Sequence, residues 1–415
     1  MSLDVNLSEP DEFNCVELHS CIDNVARMKN IDDFAYHVEF ACGKSENFVA
    51  NVFRVTITDA NDSEHKVSVI VKTLVNTTRQ ELFQELHKRE VRAYADVIPK
   101  FQSVQMKLAA EDRLALPVCI LSYTQKGNEV LILEDLLLDG YEYDTKLFKL
   151  KNMDSRQVGT ILSELAKFHA LSVVLERADE ENFSTLKDEF EDVLFQESFL
   201  NKSKLRDCYS ESYEASVNLV IDLDAKNKLL NARTKMLDLL RNFTRPRKFN
   251  VLCHGDCWVN NFMFKRRGNL MDTKICFLDF QAMRYSSPAT DIIYFLYLCT
   301  DSVFRSKYME DVLHVYYDSF ESFLKLFEID SNTIYSRDLF LDDIKEIMPF
   351  GFLIALVELR IVTATNEDKN IDETSLDSES SSCALDDKMF LGIRVNDAVS
   401  ESIENGVLNR ICDLL

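Results

Sequence analysis

The sequence predicts an α+β fold in which a small antiparallel sheet with one helix precedes a larger, mainly helical region. Strand-like patterns dominate from residue 36 to 73, a helical pattern and two short apolar runs follow, and helical spacing prevails after residue 135. This order lacks the repeated strand–helix–strand units of a parallel, doubly wound sheet. The chain has 415 residues, more than one hydrophobic core usually organises, so we expect two domains, 1–135 and 136–415.

The N-terminal domain is predicted from alternation, composition and helical spacing. Apolar side chains recur among charged ones from 79 to 97, which predicts a helix, and Pro99 is expected to end it because a proline has no N–H to donate. A turn is expected around Gly43. Strands are predicted where apolar and polar residues alternate or Val, Ile, Phe and Thr accumulate, at 36–40, 48–58, 66–74, 118–123 and 130–133.

The C-terminal domain is predicted to be mainly helical. Asp154 is an expected N-cap with Gln157 as its capping-box partner, and the apolar residues that follow, with His169 among them, mark one face of a helix. Residues 366–388 are rich in Ser, Asp and Glu and are predicted to form a solvated, mobile loop. Further helices are predicted at roughly 184–241, 288–299, 307–326, 340–361 and 388–411.

Composition and charge limit the classes of partner. Lys plus Arg number 47 against 70 Asp plus Glu, a formal net charge of −23, so we expect the surface to repel nucleic acid and anionic membranes. No secretion-signal pattern opens the sequence, and the longest apolar runs, such as 292–299, are too short to cross a bilayer. The 11 scattered cysteines suit reduced thiols, so we expect a cytoplasmic protein. Cys253 and Cys257 lack a second ligand pair, which disfavours a structural zinc.

The stretch from 251 to 280 carries the residues that indicate the chemistry. Asp256 can accept a proton from a hydroxyl, and Asn261 follows five positions later, the Asp–Asn offset of a kinase catalytic loop. Asp279 ends an apolar run and precedes a Phe, as in the metal-binding Asp-Phe-Gly element, although Gln281 stands where that element has Gly. Each residue alone would fit a turn or a cap. The three in this order predict a kinase with Asp256 as base and Asn261 and Asp279 as catalytic ligands of Mg²⁺.

The upstream region offers residues for a nucleotide. Lys72 ends the third predicted strand, where a kinase lysine holds the α- and β-phosphates, and Glu90 on the following helix is the leading candidate to orient it. Backbone groups of Glu134 and Leu136, at the connection between the domains, are positioned to bind an adenine edge. Alternatively, Asp135 ties this connection to the helical domain. The sequence therefore predicts that 1–135 binds the nucleotide and that 136–415 carries the catalytic residues and binds the acceptor.

A phosphate-covering loop is expected between the first two strands. Gly43 is what remains there of a glycine-rich loop, and Ser45 and Asn47 offer hydrogen bonds to phosphate instead. A plain hairpin turn is the alternative for this segment.

These residues resemble the ecdysteroid kinase-like family of insects, part of the wider choline kinase and aminoglycoside phosphotransferase group. The resemblance covers residues 36–327 and rests on HGDCWVNNFMF, LDFQAMRYSSPATDIIYFL, LILEDLLLDGY, LAKFHA and GKSENFVANVFRV. It implies a bilobal, protein-kinase-like fold, ATP with Mg²⁺, and a hydroxyl acceptor such as an ecdysteroid or another lipophilic alcohol. It also implies that Gln281 is normal, whereas Ser45 and Ala50 depart from the Gly and Ser that members often carry.

Several polar residues near the motif are given structural roles. His254 is expected to hold the catalytic loop through a backbone hydrogen bond, and His169 is expected to be a satisfied core histidine that in this family would brace the loop. Asp291, in the first turn of a helix, is explained by favourable interaction with the helix N-terminus. Arg284 and Tyr285 are candidates to line the acceptor site.

Three alternatives to a small-molecule alcohol kinase follow from the same residues. A catalytically inactive binding protein would keep the fold but commonly lose one of the motif residues, all of which are present. A choline- or ethanolamine-type kinase would need aromatic residues around a cationic acceptor. A protein kinase is disfavoured because the few residues between Asp279 and Ser287 leave no room for an activation loop.

Overall fold

The computed structural model describes residues 9–41, 49–143, 153–266, 273–363 and 382–415. The chain forms two compact units. The first comprises Met1–Lys100 and Leu116–Glu142, and the second comprises Phe101–Ala115 and Tyr143–Leu415.

The first unit is built on a five-stranded antiparallel sheet with the order β1-β2-β3-β5-β4. The central strand β3 places Lys72 opposite Val52 on β2 and Leu131 on β5. All five strands were predicted from the sequence. Their bounds are Phe34–Phe40 (β1), Asn51–Asp59 (β2), Lys66–Thr73 (β3), Cys119–Tyr123 (β4) and Val130–Glu134 (β5).

Helix α1, Val16–Met28, was not predicted. Its buried residues Leu18, Ile22 and Val25 recur at helical spacing and pack in one hydrophobic cluster with sheet residues such as Val55 and Val69. The helix thereby covers apolar side chains of the sheet.

The prediction that Pro99 ends the helix is wrong, because the helical path continues through it. Helix α2, Gln80–Arg92, passes through a π-helical turn, Ala93–Val97, into α3, Ile98–Gln105. In the wide turn the N–H of Ile98 bonds the carbonyl of Ala93. Pro99 then lies in the first turn of α3, where a missing N–H and the fixed proline ring are tolerated.

The second unit is mainly helical, as predicted, with two small antiparallel strand pairs. Strand β6 (Val251–Cys253) pairs with β9 (Arg284–Ser286), and β7 (Phe262–Arg266) pairs with β8 (Thr273–Phe277). The helices are α4 (Ser155–Ala178), α5 (Glu180–Glu189), α6 (Glu197–Lys202), α7 (Leu205–Asn218), α8 (Leu223–Ala232), α9 (Met236–Thr244), α10 (Ala289–Cys299), α11 (Ser302–Lys325), α12 (Arg337–Thr363), α13 (Ser382–Glu404) and α14 (Val407–Asp413). These elements confirm the predicted α+β class.

Helix α13 begins earlier than expected. Residues 382–388 of the predicted mobile loop are already helical, and 366–381 lie outside the described residues. A nucleated helix gains one hydrogen bond for each residue added, so polar residues can extend it.

The core of the second unit lies around α4 and α10. Helix α4 starts with the predicted capping box, in which the Asp154 carboxylate accepts from the Gln157 N–H at 2.8 Å and the Gln157 side chain accepts from the Asp154 N–H at 3.0 Å. It is long and apolar enough to cross a membrane, but 83% of its most apolar window is buried inside the protein, as in the core helix of a globular domain. Helix α10 packs on α12 at Gly351, where a Cβ would lie 2.3 Å from Ile293.

Candidate active site

The loop after β6 follows a path that only glycine permits. Gly255 has a φ of +89°, and a Cβ there would lie 1.9 Å from the carbonyl oxygen of Ala282. The loop therefore passes directly against the turn that follows Asp279. This close approach fixes residues 254–256 next to the segment that carries the second motif.

Asp291 anchors the backbone of this loop. Its two carboxylate oxygens accept the N–H groups of His254 and Gly255 at 2.6 and 3.0 Å, and Nε2 of His169 lies 3.1 Å from Oδ2. Burial alone would raise the pKa of Asp291, but the hydrogen bond with His169 and the electrostatic interactions with His169, Arg284 and His254 together outweigh burial, and the pKa is lowered. Asp291 does lie in the first turn of α10, as expected, and its carboxylate additionally bonds the loop backbone, which the helix N-terminus alone does not explain. His169, which also meets the Tyr316 hydroxyl at 2.8 Å, braces the loop as expected.

The buried ring of His254 hydrogen-bonds backbone groups on both sides of it. Its Nε2 lies 2.8 Å from the carbonyl oxygen of Leu278, and its Nδ1 accepts the N–H of Asp256 at 3.3 Å. Nε2 therefore carries the proton of a neutral ring, and burial lowers the pKa of His254 accordingly. The expectation that His254 bonds backbone is confirmed, and the expectation that it does not transfer the reacting proton stays a prediction.

Both oxygens of the Asp256 carboxylate are held by neutral donors. Nδ2 of Asn261 donates to Oδ2 at 3.0 Å and to the Asp256 carbonyl at 2.9 Å, and the Tyr294 hydroxyl donates to Oδ1 at 2.8 Å. Burial, and then the charge of Asp279, raise the pKa of Asp256. Tyr294 was not predicted from the sequence. Its position three residues after Asp291 on one helix indicates that the two side chains lie on the same face.

Asn261 and Asp279 lie where two short strands meet. The Asn261 carbonyl accepts the N–H of Leu278 at 2.8 Å, which ties the start of β7 to the end of β8. Asp279 follows in the left-handed region with a φ of +65°. Because the Asn261 Nδ2 donates to Asp256, its Oδ1 remains as the atom that a cation would bind. The structure thus brings together Asp256, Asn261 and Asp279, and their roles stay predictions.

The buried cysteines near this loop are not suited to zinc. Burial raises the pKa of the Cys253 and Cys257 thiols well above the usual value, which disfavours the thiolate that binds a metal. A possible ligand group of His169, Cys253 and Asp291 also exists in the described chain. The Asp291 oxygens in that group already accept backbone N–H groups.

The buried side chain of Arg284 hydrogen-bonds the backbone of the loop 254–256. This side chain is 1% exposed, and its Nη1 donates to the Gly255 carbonyl at 3.0 Å and lies 3.8 Å from Asp192. The guanidinium thus bonds the backbone of the loop, and the predicted place of Arg284 in the acceptor site stays a prediction. Tyr285 remains partly exposed next to Lys187, whose Nζ lies 5.4 Å from the ring centre.

In the first unit, Lys72 and Glu90 form a buried ion pair. Nζ of Lys72 lies 2.9 Å from both carboxylate oxygens of Glu90, and the residues are 6% and 2% exposed. Two other glutamates of α2 pair with surface lysines, Glu81 with Lys126 and Glu85 with Lys88. The geometry therefore selects Glu90 as the partner of Lys72, whereas the roles of both toward a nucleotide stay predictions.

Gly43, Ser45 and Asn47, proposed to contact phosphate, lie outside the described residues. Glu134 ends β5 and donates its N–H to the Val118 carbonyl at 3.1 Å. The Leu136 carbonyl accepts the N–H groups of residues 139 and 141 at 3.1 Å each.

Asp135 is bound within its own unit. Its carboxylate accepts from Nε of Arg54 at 2.8 Å and from the Ser68 hydroxyl at 2.7 Å. Arg54 belongs to β2 and Ser68 to β3. Strand β3 runs beside β5 and brings Ser68 close to the end of that strand. Within the first unit Asp135 therefore ties the end of β5 to the sheet, and the alternative that it ties the connection to the helical domain stays a prediction.

Comparison with known proteins places the chain in a family. No curated protein matches the sequence. Among solved structures, a microcompartment-associated aminopropanol kinase is similar with 10% identity over 93% of this chain and 99% of its own, at a TM-score of 0.46. The GDP complex of an aminoglycoside 2′-phosphotransferase is similar with 13% identity over 92% and 99%, at a TM-score of 0.43. The family model described as ecdysteroid kinase-like matches residues 44–329, well over half of the sequence. The chain therefore belongs to the ecdysteroid kinase-like family, a group of small-molecule phosphotransferases.

Proposed function

We propose that this protein transfers the γ-phosphoryl group of ATP to a hydroxyl of a small molecule, an ecdysteroid or another lipophilic alcohol. The observation that carries the proposal is the arrangement of Asp256, which shares hydrogen bonds with Asn261 and is electrostatically coupled to Asp279. Phosphoryl transfer to an alcohol requires a base beside two oxygen ligands of a metal ion, because the protein contributes positioning and electrostatic stabilisation and forms few covalent bonds itself.

In this proposal Asp256 acts as the base. The acceptor hydroxyl donates to the Asp256 carboxylate, its oxygen bonds the γ-phosphorus as the bridging bond to ADP breaks, and the hydroxyl proton passes to Asp256. Burial and the charge of Asp279 raise the pKa of Asp256, which makes the carboxylate a better proton acceptor than an exposed aspartate. Tyr294 and Asn261 hold the carboxylate while the reaction proceeds.

The residues fit a hard divalent cation. Asn261 Oδ1 and the Asp279 carboxylate are the oxygen ligands that Mg²⁺ prefers, and the Asn261 amide is oriented by its bond to Asp256. When bound, Mg²⁺ neutralises charge on the phosphates.

Lys72 would contact the α- and β-phosphates. Its ammonium group is already fixed by Glu90, so binding a nucleotide would not require ordering a flexible lysine. The acceptor class rests on the description of the family whose model matches.

The test is an ATP-consumption assay with Mg²⁺ against a panel of ecdysteroids, other sterols, plant phenolic glycosides, choline and ethanolamine. We expect turnover with a lipophilic alcohol and a loss of roughly a thousandfold or more in Asp256→Asn, with Mg-ATP binding retained. The matched control is Asp222→Asn, the same change at the N-cap of α8, where asparagine caps equally well. Turnover of Asp256→Asn at the wild-type rate would remove Asp256 from the role of base, and turnover of choline alone would replace the acceptor class.

Asp279→Ala tests the cation site separately. We expect weaker Mg-ATP binding in this variant, because one of the two proposed ligands is lost. An unchanged dissociation constant for Mg-ATP would contradict the assignment of Asp279.

A further inference from the structure

Helix α10 contacts the loop 254–256 with two side chains. Asp291 bonds the backbone N–H groups of His254 and Gly255, and Tyr294 bonds the carboxylate of Asp256. Residues three apart are neighbours on one face of a helix. One rigid, fully buried helix therefore positions both the loop backbone and the side chain of the proposed base.

The Tyr294 hydroxyl fixes the orientation of the Asp256 carboxylate. Asn261 donates to Oδ2 at 3.0 Å and Tyr294 donates to Oδ1 at 2.8 Å, so each oxygen has its own donor. Two donors on opposite oxygens prevent rotation about the bond that carries the carboxyl group. Without the phenol, Asn261 would be the one side-chain donor to this carboxylate within the described residues, and a single donor leaves that rotation free.

We propose that Tyr294 is a positioning residue for phosphoryl transfer. Its hydroxyl holds the Asp256 carboxylate in the orientation in which the carboxylate can take the proton from the hydroxyl group of the substrate. This inference rests on the proposed function. Reacting groups that are misplaced by about 1 Å can lose about a hundredfold in rate. Loss of a hydrogen bond that orients a metal ligand typically lowers affinity or activity about 10- to 100-fold, and we expect an effect of this size for the donor that orients Asp256.

The expected effect is confined to one kinetic parameter. Tyr294 is 7% exposed and donates to Asp256, so removing the hydroxyl should leave the affinity for Mg-ATP and the KM for the acceptor within about threefold. A fall in kcat without a rise in KM marks an interaction used in the transition state. General loosening of the fold would instead raise KM and lower the melting temperature.

The same helix offers a matched control. Tyr297 follows Tyr294 by three residues on α10 and is 1% exposed. Its ring packs against the Arg305 guanidinium, whose carbon lies 4.3 Å from the ring centre. Tyr297→Phe therefore makes the same chemical change in the same buried helix at a hydroxyl that does not bond Asp256.

The experiment compares Tyr294→Phe, Tyr297→Phe and Asp256→Asn with the alcohol that the wild-type protein phosphorylates fastest. We expect kcat to fall about 10- to 100-fold in Tyr294→Phe and less than about threefold in Tyr297→Phe. Two unnatural residues at position 294 distinguish the effect of losing the hydrogen-bond donor from the effect of changing the side-chain volume. The p-aminophenylalanine variant keeps an N–H donor and should recover most of the rate, whereas p-methylphenylalanine fills the space without a donor and should not. This pair also decides the question if Tyr294→Phe does not fold.

The outcomes distinguish this inference from the proposed function. Transfer that is lost in Asp256→Asn but retained within about twofold in Tyr294→Phe would overturn the role of Tyr294 and leave the kinase assignment intact. Equal rates for the two unnatural variants would overturn it as well. A wild-type protein that transfers no phosphoryl group to any alcohol of the panel would overturn both.

Discussion

Glu358 on α12 should make the folded protein less stable as the pH rises. The side chain is partly exposed, and within the described part of the chain it forms no ion pair and accepts no hydrogen bond. Burial, and then the charge of Asp256, raise the pKa of Glu358 from 4.5 to about 8. Tyr209 and Tyr294 are also electrostatically coupled to it, and neither supplies a positive charge.

The sign and size of the effect follow from proton binding. Below pH 4.5 Glu358 is protonated in both states and has no effect on the free energy of unfolding. Between 4.5 and about 8 the unfolded chain loses this proton and the folded protein keeps it, so stability falls as the pH rises. At about 1.4 kcal/mol per pH unit the loss reaches roughly 3 kcal/mol at pH 7. Partial exposure lets water screen some of it, so we expect about 1–3 kcal/mol.

Glu358→Gln removes the titration and keeps the shape of the side chain. Urea unfolding of the wild type and the variant at pH 5, 7 and 8 measures the difference in the free energy of unfolding. The variant should gain stability over the wild type as the pH rises. Glu310→Gln, at an exposed position on α11, is the control and should give no such trend. A difference between Glu358→Gln and wild type that is constant across this range, or that shrinks with rising pH, would refute the reasoning.

Three further substitutions test the contacts described above. Lys72→Met should cost roughly 3 kcal/mol in the free energy of unfolding because it removes the ammonium group paired with the buried Glu90 carboxylate. Lys72→Met/Glu90→Met should recover most of that loss, and equal unfolding midpoints for the single and double variants would argue against it. Gly255→Ala should lower the melting temperature and abolish turnover, since its Cβ would lie 1.9 Å from the Ala282 carbonyl oxygen, and a normally active variant would show that the loop takes another path. Asp291→Ala should destabilise the protein by roughly 3 kcal/mol or more by leaving two buried N–H groups unpaired, as chemical denaturation would reveal.

Local patterns in the sequence were sufficient for much of the fold. Alternation and β-branched composition located the five strands of the first unit, and the Asp154 capping box located the start of α4. These signals are local because strand and helix periodicity repeat within a few residues. Helix α1 carried the same kind of signal in Leu18, Ile22 and Val25 and was missed. Pro99 was misjudged because the preceding π-helical turn is not visible in the sequence.

The sequence alone also predicted a candidate site, since Asp256, Asn261 and Asp279 stand in a specific order and spacing. Tertiary structure decided what holds them. Asp291 reaches back 37 positions to bond the His254 N–H, and Tyr294 reaches back 38 positions to bond Asp256. Contacts over such distances depend on how α10 packs against the loop. No local periodicity encodes that packing, because it is fixed by burial of the whole helix within the core of the second unit.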